Sequence, residues 1–155
     1  MTTSQPVEPG TADWVDAADF VRRFEEAWAR SSAEAILAVL GEGVVLRQPV
    51  MPDTVGKPAA REAFTRLFRA FPGLTAKVHR WAADGDVVFI EFTLSGELGG
   101  RPLRWPAVDR FVVRDDGLAA ERVSYFDGGR LLVETLTRPR GWRRLLASGL
   151  RPSLR

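Results

Sequence analysis

Asp109 is the residue whose position most strongly suggests chemistry. It lies in a strand-like run, residues 103–113, and the side chains of a strand alternate between two faces. A carboxyl group on an apolar face is costly to ionise unless a cation pairs with it. Asp109 is therefore a functional acid, an aspartate paired with a nearby arginine, or one that reaches water at a strand end. The other residues on its face are all apolar: Leu103, Trp105, Ala107, Phe111 and Val113.

Three further polar side chains are candidates for chemistry. Gln48 alternates with Leu46 on a short strand-like run, so its amide could orient a substrate carbonyl or could be satisfied by loop backbone beside Pro49. His79 could act as a general base near neutral pH, but a single histidine on a strand is more often structural or exposed. Asp127 precedes two glycines and is best placed to cap a following helix or turn.

Length and composition exclude several classes of protein. A chain of 155 residues that is 45% apolar and 27% charged is typical of one globular domain. No apolar run approaches the roughly 18 residues of a membrane span, and the polar start lacks the features of a signal peptide. The absence of cysteine and the single histidine exclude disulfides, zinc–thiolate sites and multi-histidine metal sites. We expect a cytoplasmic protein that binds no metal.

Positive charge is concentrated at the C-terminal end of the sequence. Residues 138–155 contain six arginines and no acidic residue, although the net charge of the whole chain is only +2. Such a segment could touch nucleic acid or anionic lipid, or could be solvated or packed by its arginine stems; we favour the second interpretation. No strand interleaves aromatic with basic residues, so we expect no nucleic-acid partner.

The periodicity of apolar residues predicts helices followed by strands. We expect a disordered leader (1–11), one domain (12–138) and an Arg-rich, helical C-terminal tail (139–155) whose removal leaves the core folded. The order predicts an α+β fold, with three N-terminal helices packed on the concave face of a curved antiparallel sheet. The predicted helices are 12–30, 32–40, 57–70 and 130–136, and the predicted strands are 44–48, 74–82, 87–94, 103–113 and 118–126.

The order and spacing of several short motifs resemble a known superfamily. The motifs are a first helix ending at Trp28, Gln48-Pro49, Gly56, residues 83–86, Val108 to Phe111, Asp116-Gly117 and Tyr125 to Asp127. Together they resemble the nuclear-transport-factor-2-like superfamily, specifically its branch of SnoaL-like polyketide cyclases, ketosteroid isomerases and limonene epoxide hydrolases. The resemblance covers residues 18–138. It implies a cone-shaped fold and a homodimer that pairs through the outer face of the sheet.

The catalytic positions of these enzymes are only partly present. Asp109 falls on the isomerase aspartate that donates a hydrogen bond while protonated, but the isomerase tyrosine and general base fall on Phe24 and Gln48. The cyclase acid and one epoxide-hydrolase acid fall on Ser124. The remaining epoxide-hydrolase positions fall on Phe92, Leu94, Leu46 and Gln48, so that mechanism is not expected. Asp109 is thus the remaining acid of the usual set.

The resemblance implies a small-molecule pocket. We expect a cofactor-independent isomerase or cyclase that acts by acid/base chemistry on a small apolar carbonyl compound, polyketide-like or terpenoid-like, with Asp109 as acid and Gln48 as orienting group. The alternative is a non-catalytic binding or dimerisation module of the same fold. The resemblance places Arg122 inward, where it could pair with Asp109 or bind an anionic group. The expected pocket residues are Phe24, Trp28, Leu46, Met51, Phe68, Phe92, Leu94, Trp105, Ala107, Arg122, Ser124 and Phe126.

Overall fold

The computed structural model describes residues 11–49 and 51–149, with side chains from Ala17 onwards. Residues 1–10 of the predicted leader (1–11) and the last six residues lie outside the described part, while Thr11 begins the first helix. Within the described part, helices and strands follow one another in the order that the periodicity predicts, except for the unpredicted two-residue strand Thr54–Val55, and the α+β class is confirmed. The elements are α1 (Thr11–Ala29), α2 (Ala33–Leu37), β1 (Leu40–Arg47), β2 (Thr54–Val55), α3 (Lys57–Ala70), β3 (Thr75–Asp84), β4 (Val87–Leu98), β5 (Arg101–Val113), β6 (Ala119–Tyr125), α4 (Gly128–Leu136) and α5 (Pro139–Ser148).

The six strands form one curved, unclosed sheet in the order β2-β1-β6-β5-β4-β3. Neighbouring strands from β3 to β6 are antiparallel, as expected of a meander. The expectation of a purely antiparallel sheet is wrong at one place, because β1 and β6 pair in parallel. A tight hairpin forces an antiparallel pair, whereas β1 and β6 are joined by a long connection through α3 and four strands. Their relative direction is therefore not set by a turn.

The boundary between α2 and β1 differs from the prediction. We expected a helix over residues 32–40 that Gly41 and Gly43 end, but α2 ends at Leu37 and β1 begins at Leu40. Gly41 lies inside the strand, where an added Cβ would come 3.3 Å from the carbonyl oxygen of Ala119 on β6. Its missing side chain therefore allows the close approach of two strands.

The core lies between the long helices and the inner face of the sheet. α1 contacts β3, and α3 contacts β1 and β2. The helical spacing of Phe20, Phe24 and Trp28 puts all three rings inward, each at most 2% exposed. The ring of Phe24 meets those of Phe92 and Phe111 edge-on at 5.4 and 5.5 Å between centroids. Burial of each such side chain stabilises the fold by about 1.5–3 kcal/mol.

The two C-terminal helices are docked against the β4–β5 hairpin. Asp127 caps α4 as predicted, since its side chain accepts a hydrogen bond from the backbone N–H of Arg130. The buried Arg138 donates through Nη1 to the carbonyl oxygens of Arg101 and Pro102. At Gly141 an added Cβ would lie 2.6 Å from Leu98, so α5 sits close on the hairpin. That the core folds without this tail stays a prediction.

None of the helices between residues 11 and 149 has both the length and the apolar content that a membrane crossing requires.

Candidate functional site

A mostly apolar cavity of about 160 Å³ lies between the helices and the inner face of the sheet. Strand alternation and the inward stripe of α1 explain one part of its wall. Ten of the residues singled out in the sequence line it. They are Trp28, Gln48, Met51, Phe92, Leu94, Trp105, Ala107, Arg122, Ser124 and Phe126.

Four of the expected catalytic and pocket residues do not line the cavity. Phe24 and Leu46 are packed in the core, and Phe68 places its ring 5.8 Å from that of Trp28. Asp109 lies behind the cavity wall and is fully buried. Phe24, Leu46 and Phe68 therefore serve as packing around the site in this structure.

The sequence did not predict the residues of α4 and α5 that cover the cavity. Seven further residues line it, and five of them belong to α4 and α5. Leu131, Leu132 and Thr135 fall on one side of α4 by helical spacing, so an inward face could have been recognised. The position of α4 above the sheet depends on tertiary packing, which helical spacing does not predict. The seven are Leu67, Phe71, Gly128, Leu131, Leu132, Thr135 and Leu145.

Asp109 is the centre of a buried hydrogen-bonded cluster. The pairing of β5 with β6 sets Asp109 opposite Ser124 and puts Arg122 two residues away on the same face. Arg122 Nε donates to Asp109 Oδ2 at 2.5 Å, and Ser124 Oγ donates to Oδ1 at 2.5 Å. Of the three interpretations of Asp109, the structure shows the pair with an arginine. The isomerase-like role as a protonated donor to a ligand is not available in this arrangement, because both oxygens accept and neither reaches the cavity.

Arg122 presents donor groups to the cavity. Its guanidinium carbon lies 5.8 Å from the ring centroid of Phe64, in cation–π range. Among the described residues, its side chain makes one hydrogen bond, through Nε. No described side-chain nitrogen or oxygen is both buried and without a partner, so Nη1 and Nη2 must keep accessible surface. We infer that this surface faces the cavity, where Arg122 alone among the described lining residues is charged.

The other polar candidates have different surroundings. Gln48 follows the last residue of β1, lines the cavity and donates from Nε2 to Met51 Sδ at 3.6 Å, a weak contact. His79 is exposed, with Nε2 at 2.8 Å from Thr93 Oγ1, and does not line the cavity. In the part of the chain that the structure describes, no three acidic or histidine side chains converge as metal ligands.

Solved structures share this fold. A putative SnoaL-like polyketide cyclase from Jannaschia sp. CCS1 superposes with a TM-score of 0.68 at 19% identity, covering 86% of this chain and 96% of that chain. An epoxide hydrolase of M. tuberculosis, similar to limonene epoxide hydrolase, gives 0.63 at 23% identity, with 86% and 96% covered. A hypothetical protein from Catenulispora acidiphila DSM 44928 with a ketosteroid-isomerase-like fold, in complex with trimethylamine, gives 0.68 at 15% identity, with 76% and 92% covered.

These likenesses confirm the cone-shaped fold of the nuclear-transport-factor-2-like superfamily, of which members bind small molecules. A comparison with curated proteins finds no significant match. The sequence model of the SnoaL-like domain family matches residues 21–122, which include β1, Asp109 and Arg122. The chain therefore belongs to the SnoaL-like domain family.

Proposed function

We propose that this protein is a cofactor-independent isomerase or cyclase that acts on a small apolar carbonyl compound of polyketide-like or terpenoid-like structure. One observation carries the proposal: an arginine anchored by a buried carboxylate lines a mostly apolar cavity. The names of fold neighbours, among them a putative polyketide cyclase, support the reaction class.

Arg122 would stabilise the oxygen of the substrate carbonyl. When a proton leaves the neighbouring carbon, negative charge develops on that oxygen as the enolate forms. Donors that are already oriented in a site with little water lower the energy of such a charge most effectively. The bond from Nε to Asp109 fixes the guanidinium plane, and the amide of Gln48 is a second donor available on the cavity wall.

Ser124 and Asp109 would accept the proton. Ser124 lines the cavity, and its Oγ already donates to Asp109 Oδ1. The substrate proton passes to Ser124 Oγ while the serine hydroxyl proton passes to Asp109, and the electron pair of the C–H bond becomes the enolate. Return of the proton at another carbon gives an isomer. Attack of the enolate carbon on a second carbonyl of the same molecule closes a ring.

The charge of the cluster supports this assignment. Before the transfer, the positive Arg122 faces the negative Asp109; after it, the same guanidinium faces the enolate while Asp109 is neutral. The buried cluster keeps a formal charge of zero throughout, which avoids the cost of an unpaired buried ion. Because Asp109 already neutralises Arg122, the site suits a neutral carbonyl compound better than a carboxylate.

The test uses 2-tetralone, an apolar bicyclic ketone, as the probe. We expect the protein to accelerate deuterium uptake at the carbon beside the carbonyl, followed by proton NMR in deuterated buffer. Asp109→Asn keeps the shape of the side chain, and Ser124→Ala interrupts the proton path. Each should slow the protein-dependent exchange by about 10²-fold or more, the usual contribution of a general base.

Asp116→Asn, a substitution in the exposed turn before β6, is the matched control and should exchange like the original protein. Equal exchange rates in all four proteins would refute the proton path. Binding of 2-tetralone without any acceleration would favour the alternative, a non-catalytic small-molecule-binding module. That alternative is supported by the cavity lining, in which the described residues include no aspartate, glutamate or histidine.

We also propose a homodimer formed through the outer face of the sheet. Phe89, Val108 and Tyr125 on this face are 40%, 36% and 54% exposed, and such an apolar surface is typical of an interface. Phe89→Asp should shift the mass measured by light scattering at micromolar concentration from dimer to monomer. Val55→Asp, at a 69% exposed position on the edge strand β2, should leave the dimer intact. A monomer before any substitution would contradict the proposal.

A further inference from the structure

The outward side of α4 and α5 carries large apolar side chains. We call Val133, Leu136, Trp142 and Leu146 the α4–α5 outer surface; they are 59%, 56%, 43% and 81% exposed. Helical spacing puts Val133 with Leu136, and Trp142 with Leu146, on one side of each helix. Trp142 Nε1 donates to the carbonyl oxygen of Thr135, next to Leu136, so the two pairs adjoin. Four such side chains in twenty residues are more than scattered surface exposure explains.

Arginines neighbour these apolar side chains in the sequence. Between residues 128 and 149 there are five arginines and one glutamate. That glutamate, Glu134, already binds Arg138 through a short hydrogen bond. Arg140, Arg143 and Arg144 are exposed, with no hydrogen bond to the described residues. The surface is therefore both apolar and strongly positive.

We propose that the α4–α5 outer surface docks on an anionic lipid membrane surface. Helices that bind in the membrane interface combine exposed apolar side chains, tryptophan among them, with arginines that reach the anionic headgroups. Long arginine side chains place their apolar stems in the interface while the charged ends stay at the headgroups. An anionic membrane would thus bind both the apolar side chains and the arginines of this surface.

Two other partners fit less well. A nucleic acid would neutralise the arginines, but it would leave Val133, Leu136 and Leu146 in contact with phosphates and water. A second copy of the same surface would cover the apolar side chains, but it would bring two clusters of arginine together. Charge complementarity therefore favours an anionic lipid surface.

Docking would also put the cavity next to the lipid. The inner sides of the same helices wall the cavity, through Leu131, Leu132 and Thr135 on α4 and Leu145 on α5. The helices that cover the cavity thus also carry the docking surface. Docking itself does not depend on the reaction proposed above.

The experiment is co-sedimentation of the whole protein with vesicles of phosphatidylcholine, with and without phosphatidylglycerol. We expect binding to the anionic vesicles to exceed binding to the neutral ones by about tenfold or more, and to weaken as salt is added. Leu146→Ser and the double variant Arg143→Glu/Arg144→Glu should each lower the bound fraction at least severalfold. Thermal unfolding of each variant checks that the fold is kept.

Val55→Ser and Arg80→Glu are the matched controls, since the two side chains are also exposed but lie on β2 and β3. Both should bind vesicles like the original protein. Equal binding by all variants, or equal binding to neutral and anionic vesicles, would overturn the proposal. Binding to duplex DNA without binding to vesicles would assign the surface to nucleic acid. A fall in mass by light scattering for Leu146→Ser, without vesicle binding, would assign it to self-association.

Discussion

Asp109→Leu is expected to lower the free energy of unfolding by about 3–5 kcal/mol, the usual cost of removing one partner of a buried ion pair. Leucine has the same branched arrangement of four side-chain heavy atoms and is larger than aspartate, so little of this cost arises from a cavity. It arises because the Arg122 guanidinium, with its side chain only 8% exposed, loses the carboxylate that balances its charge. Ser124 also loses its acceptor. Urea unfolding followed by tryptophan fluorescence measures the change.

The double variant Asp109→Leu/Arg122→Met separates a charge effect from poor packing. If the unpaired guanidinium causes the loss, removing it as well should restore most of the stability, because apolar replacements of a buried ion pair are often neutral. Ser124→Ala keeps the ion pair and should cost only about 1 kcal/mol, the net value of one hydrogen bond. If the loss of stability in the double variant equals the sum of the losses in Asp109→Leu and Arg122→Met, the two side chains do not depend on each other.

Strand alternation in the sequence was sufficient to place Asp109 on an apolar, buried face. It was not sufficient to choose among the three interpretations, because the partner of a buried carboxylate depends on the register between β5 and β6. A shift of one residue would have turned Arg122 and Ser124 to the other face. The register that sets Asp109 opposite Ser124 is decided by the packing of the whole inner face, which no local pattern contains.

For the helices around the cavity, too, the sequence predicted burial but not the detailed contacts. The stripe of α1 predicted that Phe24 and Trp28 are buried, and both are. Helical spacing alone does not predict which of the two touches the cavity, because the apolar face of a helix is wider than the part of it that borders the cavity. Trp28 lines the cavity, while Phe24 packs against Phe92 and Phe111. The place of α4 and α5 over the cavity depends on contacts such as Arg138 with the hairpin carbonyls, distant in sequence.

The size of the cavity leads to a second large expected effect. Ala107 lines the cavity from β5, opposite Phe92 on β4. Ala107→Leu should place three additional carbon atoms in the space of about 160 Å³ and lower the affinity for 2-tetralone by about tenfold or more, equivalent to about 1.4 kcal/mol. The stability of the protein should change little, because the added atoms fill empty space and do not displace packed neighbours. Titration of the ketone by NMR and urea unfolding measure the two quantities.

Ala60→Leu makes the same chemical change at a different kind of position. Ala60 is fully buried on α3 and does not line the cavity, so its larger replacement must push aside packed atoms, at a cost of about 1–3 kcal/mol. We therefore expect the two variants to show opposite results: Ala107→Leu loses affinity and keeps stability, whereas Ala60→Leu loses stability and keeps affinity. An Ala107→Leu protein with unchanged affinity would mean that the ketone binds outside the cavity. The assignment of Arg122 and Ser124 as the groups that contact it would then fail as well, because both act only on a molecule held in that space.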